Sequence, residues 1–148
     1  MPDDQRFLEI ALREAEAGLS EGGVPIGACL VRAGEVIGAG RNQRVQSGDP
    51  TAHGEISAIR AAGRQRTYRD TVIYSTLMPC QMCAGAIVQF GISRVVAGES
   101  TTFEGAQDFL REQRVQVDVM DDSRCVALME RFIEQHPEIW AEDIGGDG

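Results

Sequence analysis

At 148 residues the chain is long enough to bury a sizeable core as one domain over 1–148, and too short for a (β/α)8 barrel of roughly 250 residues. A net charge of −9, with every basic side chain an Arg, repels polyanions and argues against a nucleic-acid partner. No apolar window approaches the ~20 residues of a membrane span, the opening Met1-Pro2-Asp3-Asp4 is acidic where a signal peptide is basic, and four Cys do not make a disulfide framework at this size; the expectation is a soluble cytoplasmic protein without a membrane partner.

The first predicted element is a helix over 4–17, with Phe7, Leu8, Ala11, Leu12 and Ala15 at helical spacing and Gly18 as its stop. Gly22-Gly23-Val24-Pro25 reads as a flexible turn into a buried strand over 26–31, and Ala33-Gly34-Glu35 turns the chain into a second strand over 36–39. Cys29, inside the first strand, reads as a buried inert thiol. A polar loop over 40–50 follows, of the kind that holds substrate groups at strand ends, although Asn42 by itself reads first as a turn residue. Thr51 or a neighbour caps a helix over 53–63 whose apolar side is Ile56, Ala58, Ile59 and Ala62; His53 falls in its first turn, where the positive helix end favours a neutral imidazole.

A strand over 71–76 leads through Leu77-Met78-Pro79 into a helix over 80–90, and that helix start is expected to lower the pKa of both Cys80 and Cys83. A strand over 93–97, a loop over 98–105 carrying Phe103, a short helix over 108–113, a strand over 115–120 and an amphipathic helix over 122–135 complete the pattern. In the tail, 137–144, the lone Trp140 beside acidic residues reads equally as an apolar cover over a site or as an aromatic packed on its own helix. Arg60, Arg64, Arg66 and Arg69, the densest cationic cluster, read as a solvated helix end. Strands alternating with helices imply α/β class, parallel pairing and a sheet covered on both faces, with the turns after strands as the place for a site.

Two half-motifs carry the chemistry: His53-Gly54-Glu55 and Pro79-Cys80-Gln81-Met82-Cys83. An imidazole and two thiols three residues apart suit Zn²⁺ in tetrahedral geometry, and three protein ligands leave one corner open to water, as in a catalytic site. Glu55 is the candidate to carry that water's proton; two residues from His53, it points away from it on a helix and need not be a ligand. A zinc protease would place a second His at position 57, where the chain has Ser57. Two readings from other classes stay open: a CxxC thiol redox protein, and a closed structural zinc with Cys29, Cys125 or His136 as fourth ligand.

These half-motifs, with Glu21-Gly22-Gly23-Val24-Pro25-Ile26-Gly27 and Trp140-Ala141-Glu142-Asp143-Ile144-Gly145, resemble the small zinc-dependent cytosine deaminases of the fungal type, within the cytidine deaminase superfamily, along nearly the whole chain. The resemblance implies a three-layer α/β/α sandwich around a mixed sheet of about five strands, a homodimer, and one Zn²⁺ per chain held by His53, Cys80 and Cys83. It implies that Asn42, the Gly54 amide and Asp143 hold a free base, that Phe103 and Trp140 enclose it, and that Glu55 moves the proton as cytosine becomes uracil and ammonia. Ala141 and Met78 depart from that pattern, and leave isocytosine or another amino-heterocycle, such as guanine or a triazine, as the alternative substrate.

Overall fold

The structure is a computed structural model that describes residues 2–146. Its first helix, α1 (Pro2–Ser20), buries Phe7, Leu8, Ala11, Leu12 and Ala15, as the spacing predicts. It runs past Gly18. The chain leaves the helix at Gly22 (φ 88°), and the Gly23 N–H returns to the Gly18 carbonyl at 2.9 Å. A Gly with helical dihedrals costs a helix little, whereas reversal needs a left-handed residue, and that is Gly22.

Strands β1 (Gly27–Arg32) and β2 (Glu35–Arg41) form an antiparallel hairpin. Its two-residue turn has positive φ at both Ala33 and Gly34, the mirror-image turn that matches strand twist. β1 also pairs antiparallel with β3 (Thr71–Ser75), which pairs parallel with β4 (Arg94–Ala97), and β4 in turn with β5 (Gln116–Val119). The order β2-β1-β3-β4-β5 makes a mixed five-stranded sheet. Parallel pairing holds for β3, β4 and β5; the hairpin makes the remainder antiparallel because a two-residue turn cannot return a strand in parallel.

Alternation along the strands separates two apolar faces. Cys29, Val31, Tyr74 and Val96 pack with Phe7 of α1. On that same side lies α6 (Ser123–Gln135), whose Arg124 pairs with Glu9 of α1 at 2.8 Å. Leu30, Ile73 and Val95 face the other way, toward Ile59 of α3 (Gly54–Ala62), Ala84 and Ile87 of α4 (Gln81–Phe90) and Leu110 of α5 (Gln107–Glu112). The architecture is therefore the three-layer α/β/α sandwich. α3 sits directly on the β2 backbone, since a Cβ on Gly38 would stand 2.4 Å from the Ala58 carbonyl oxygen. The stretch expected as a loop over 40–50 contains a short helix, α2 (Arg44–Ser47), started by the Asn42 side-chain oxygen, which accepts from the Arg44 N–H at 3.0 Å. The tail is also helical: α7 (Pro137–Asp143) opens on Pro137.

Because β1 is antiparallel to both neighbours, β2, β3 and β4 all point one way. Asn42 and His53 follow β2, Cys80 follows β3 and Phe103 follows β4, so one end of the sheet, at the C-termini of these strands, receives all four. Among the described residues no helix is long and apolar enough to cross a membrane.

Candidate active site

His53 and Cys80 each occupy the position just before a helix, α3 and α4 respectively, with extended backbone (φ −73°, ψ 162° and φ −75°, ψ 177°). Both were expected one place later, inside the first turn. The extended position turns each side chain off the helix axis, and neither caps its helix, so both are free to converge. Thr51 is not the cap; its N–H and hydroxyl both donate to Asp49. Cys83 follows in the first turn of α4. His53 Nδ1 lies 3.5 Å from Cys80 Sγ, and donor atoms of His53, Cys80 and Cys83 all fall within 4.8 Å of one another.

This donor set fits one zinc ion. Burial acts to lower the His53 pKa, but Cys80, Asp143 and Glu55 together outweigh it and leave the imidazole raised to about 9, against the neutral form expected from the helix end. The surroundings thus favour positive charge here, and a metal ion supplies it in place of the proton. Hydrogen bonding with Cys83, aided by His53 and opposed by burial, pushes the Cys80 thiol down to about 4. The same bond and burial push Cys83 up, contrary to the expectation that the helix start lowers both thiols: two sulfurs this close share one proton. No fourth His, Cys, Asp or Glu joins the cluster among the described residues. Burial, first of all, pushes Cys29 and Cys125 up to about 12, and exposed His136 lies tilted against Phe132, ring centres 5.2 Å apart.

Asn42, His53, Glu55, Cys80, Phe103, Trp140 and Asp143 line one cavity, and His53, Cys80, Phe103 and Asp143 also face an adjoining open surface pocket. Glu55 is 4% exposed, and burial, with the Cys80 charge, pushes its carboxyl up to about 7. Asn42 is fully buried. Its Nδ2 donates to Asp143 Oδ1 at 2.8 Å, and its Oδ1 takes the Arg44 N–H, so the amide orientation is set by its partners. Asp143, the last residue of α7, has Oδ1 3.8 Å from His53 Nε2; burial raises its pKa, opposed by His53 and Asn42. Trp140 packs with Val24, Ile26, Leu77, Met129 and Phe132 and meets Phe103 edge-on at 5.6 Å and 89°, which makes it a cover over the cavity.

Gly54 and Cys83 are not themselves wall residues; Gly54, between the wall residues His53 and Glu55, is the buried first residue of α3, and its N–H has no carbonyl to bond within its helix. Of the two departures, Met78 lines the cavity and Ala141 does not. Ile26, Leu77 and Ile144 complete the wall without having been singled out, because in a sequence a pocket-lining aliphatic looks like any core residue. The cluster Arg60, Arg64, Arg66 and Arg69 borders a separate surface groove with Tyr68 and Phe90, away from this cavity.

The comparisons with known proteins agree with this geometry. The family described as the cytidine and deoxycytidylate deaminase zinc-binding region matches residues 1–99. The chain is similar to a cytosine deaminase of Candida albicans, at 45% identity over 146 residues and 97% of both chains. It is similar to a tRNA-specific adenosine deaminase of Buchnera aphidicola, at 46% identity over 100 residues and 66% of each. A solved structure from work on tRNA:A34 deaminases superposes with a TM-score of 0.74 at 32% identity, covering 84% of this chain and 99% of that one. With a profile match over more than half its length and a relative along nearly all of it, the chain belongs to the cytidine and deoxycytidylate deaminase zinc-binding family, and is a zinc-dependent deaminase, a hydrolase acting on C–N bonds.

Proposed function

We propose that this protein is a single-domain enzyme that deaminates free cytosine to uracil and ammonia. The observation that carries the reading is Glu55, buried with a carboxyl raised to about 7, in the same cavity as His53, Cys80 and the Asn42–Asp143 pair, with the Cys83 thiol within 4.8 Å of the other two donors. Neither a thiol redox pair nor a structural zinc needs that carboxyl. Similarity to the Candida cytosine deaminase along the whole chain supports the choice of base.

His53, Cys80 and Cys83 would hold the zinc, which when bound supplies a Lewis acid that makes water a nucleophile near neutral pH. Glu55 takes the proton that the attacking water loses at C4 and delivers it to ring N3. It then takes the proton of the new C4 hydroxyl and passes it to the exocyclic nitrogen, so that the C4–N bond breaks, ammonia leaves and C4 becomes the carbonyl of uracil. A carboxyl near neutrality suits both directions of transfer. Asn42 Oδ1 keeps a lone pair for the N1–H of the base, and its Nδ2 has a second hydrogen for O2. A sugar on N1 would remove that N–H and add bulk to an enclosed cavity, so the free base is favoured over the nucleoside. Asp143 accepts from the amino group, the Gly54 N–H adds a donor, and Phe103 and Trp140 exclude water, which strengthens these polar contacts.

Met78 in the wall, where a small polar residue is expected from the resemblance, supports isocytosine as the second reading, with the ring turned so that C2 meets the nucleophile. Two further expectations belong to the proposal: a homodimer, checked by light scattering against twice the 16.1 kDa chain mass, and a cytoplasmic location. The deciding assay is ammonia release by zinc-loaded protein from cytosine, isocytosine, cytidine, guanine and adenine, with Glu55→Gln as blank. Turnover of cytosine but not cytidine is expected. Preference for cytidine would overturn the free-base assignment.

A further inference from the structure

Met78 belongs at once to the cavity wall and to the core. Its side chain is 1% exposed and packs in the cluster that includes Ala84, Ala106 and Leu110, while it lines the pocket beside Glu55 and Cys80. Methionine ordinarily yields to its surroundings. Here the root of its side chain, Cβ and Cγ, has little room to. The β4–α5 loop lies directly behind it: a Cβ on Gly105 would stand 2.6 Å from Met78 Cγ, 3.0 Å from Met78 Cβ and 2.7 Å from the Pro79 carbonyl oxygen. Two backbone bonds hold that arrangement, Met78 N–H to the Glu99 carbonyl and Ala106 N–H to the Pro79 carbonyl, each 2.9 Å. Gly105 also has φ 67°, so the close approach and the backbone conformation both call for glycine at this position.

A ligand larger than one six-membered ring therefore finds the Cβ–Cγ root of Met78 held against the Gly105 backbone. It would require Met78 atoms to be removed. The fused imidazole ring makes guanine three heavy atoms larger than cytosine, and Met→Ala deletes three heavy atoms, Cγ, Sδ and Cε.

We propose that Met78, braced from behind by Gly105, is the specificity-determining residue that confines the pocket to a single six-membered ring and refuses purine bases. The inference rests on the free-base reading above and concerns only the size limit within it. Trp140, the one tryptophan of the chain, lines the same cavity, so its fluorescence reports base binding independently of turnover.

The experiment measures, for the zinc-loaded wild type and the variants Met78→Ala, Gly105→Ala and the double variant, Trp140 quenching by uracil and hypoxanthine, together with kcat/KM for cytosine, guanine and adenine. In Met78→Ala the pyrimidine-to-purine ratio of both binding and kcat/KM should fall at least tenfold. Gly105→Ala crowds Met78 and the Pro79 carbonyl and should weaken uracil binding at least tenfold, and the double variant, which relieves only the Met78 Cγ contact, should regain part of that loss. If Met78→Ala does not fold, Met78→Val, smaller by one heavy atom and without the Sδ–Cε end, decides, with at least a threefold fall expected. A wild type that binds hypoxanthine as tightly as uracil, or a folded, zinc-retaining Met78 variant whose ratio stays within twofold, overturns the proposal and leaves the deaminase reading intact. No quenching and no turnover with any base would sink the free-base reading itself.

Discussion

Glu55 draws its chemistry from burial: two residues past His53 it is tucked under α3, where water no longer stabilises its charged form, and its carboxyl rises to about 7. Glu55→Gln keeps the shape and removes the proton exchange, so it should retain zinc while turnover falls about 10²- to 10⁴-fold; metal analysis beside ammonia release checks both. Cys80→Ala removes a proposed ligand, and zinc and activity should disappear together; a fully metallated, active variant would refute the role. Asn42→Ala leaves the buried Asp143 carboxylate without its amide partner, a loss of about 1–3 kcal/mol. Base binding, read by Trp140 quenching, should weaken at least tenfold with zinc retained, and unchanged kinetics would remove Asn42 from the site.

Between elements, the clearest electrostatic link ties α1 to the far strands. Arg94 of β4 donates to both oxygens of Asp4 at 3.0 and 2.8 Å and to Asp118 of β5 at 2.8 Å, while the Tyr74 hydroxyl of β3 donates to Asp4 at 2.6 Å. The Arg94 bonds, opposed by burial and aided by Tyr74, hold the Asp4 carboxyl below its ordinary 3.8. A folded-state pKa below the unfolded one gives stability that is complete above the unfolded value and is lost as pH falls through the folded value. Asp4→Asn should therefore melt below the wild type at pH 7, and the gap should close as pH drops below about 3.8; thermal melts from pH 7 to 2.5 test it, and a pH-independent gap would mean that packing alone is responsible. α7 is a different kind of link: Asn42–Asp143 and the exposed Arg44–Glu142 pair at 3.0 Å fasten the tail helix over the pocket, which puts residues 101 positions apart in one hydrogen bond.

At the scale of the whole molecule, net charge −9 and an enclosed pocket both work against a polynucleotide substrate, even though several relatives carry the name of tRNA-specific adenosine deaminases. Gel-shift titration with tRNA at about 0.15 M salt should show no complex, where unscreened repulsion would be weakest and a local Arg patch still effective; a complex would direct attention to the groove edged by Arg64, Arg66 and Arg69. By itself the sequence determined what depends on near neighbours. The 3.6-residue spacing of α1 and α6, the turn at Ala33-Gly34, and the two thiols of Cys80 and Cys83 three residues apart are all short-range patterns. Tertiary structure alone decided what depends on distant partners. Cys83 is pushed up where a helix start should lower it, because Cys80 shares its proton. Against burial, the surroundings of His53 favour positive charge because Cys80 after β3, Asp143 of α7 and Glu55 of α3 converge on it from three parts of the chain. Ile26, Leu77 and Ile144 become pocket wall, and Met78 becomes a fixed one, because the glycine that blocks its retreat lies 27 residues further along, in contact only once the sheet has formed. Spacing along a chain records which chemistry is present; the field, the enclosed volume and the freedom to move at a site are sums over atoms that only folding brings within a few ångströms.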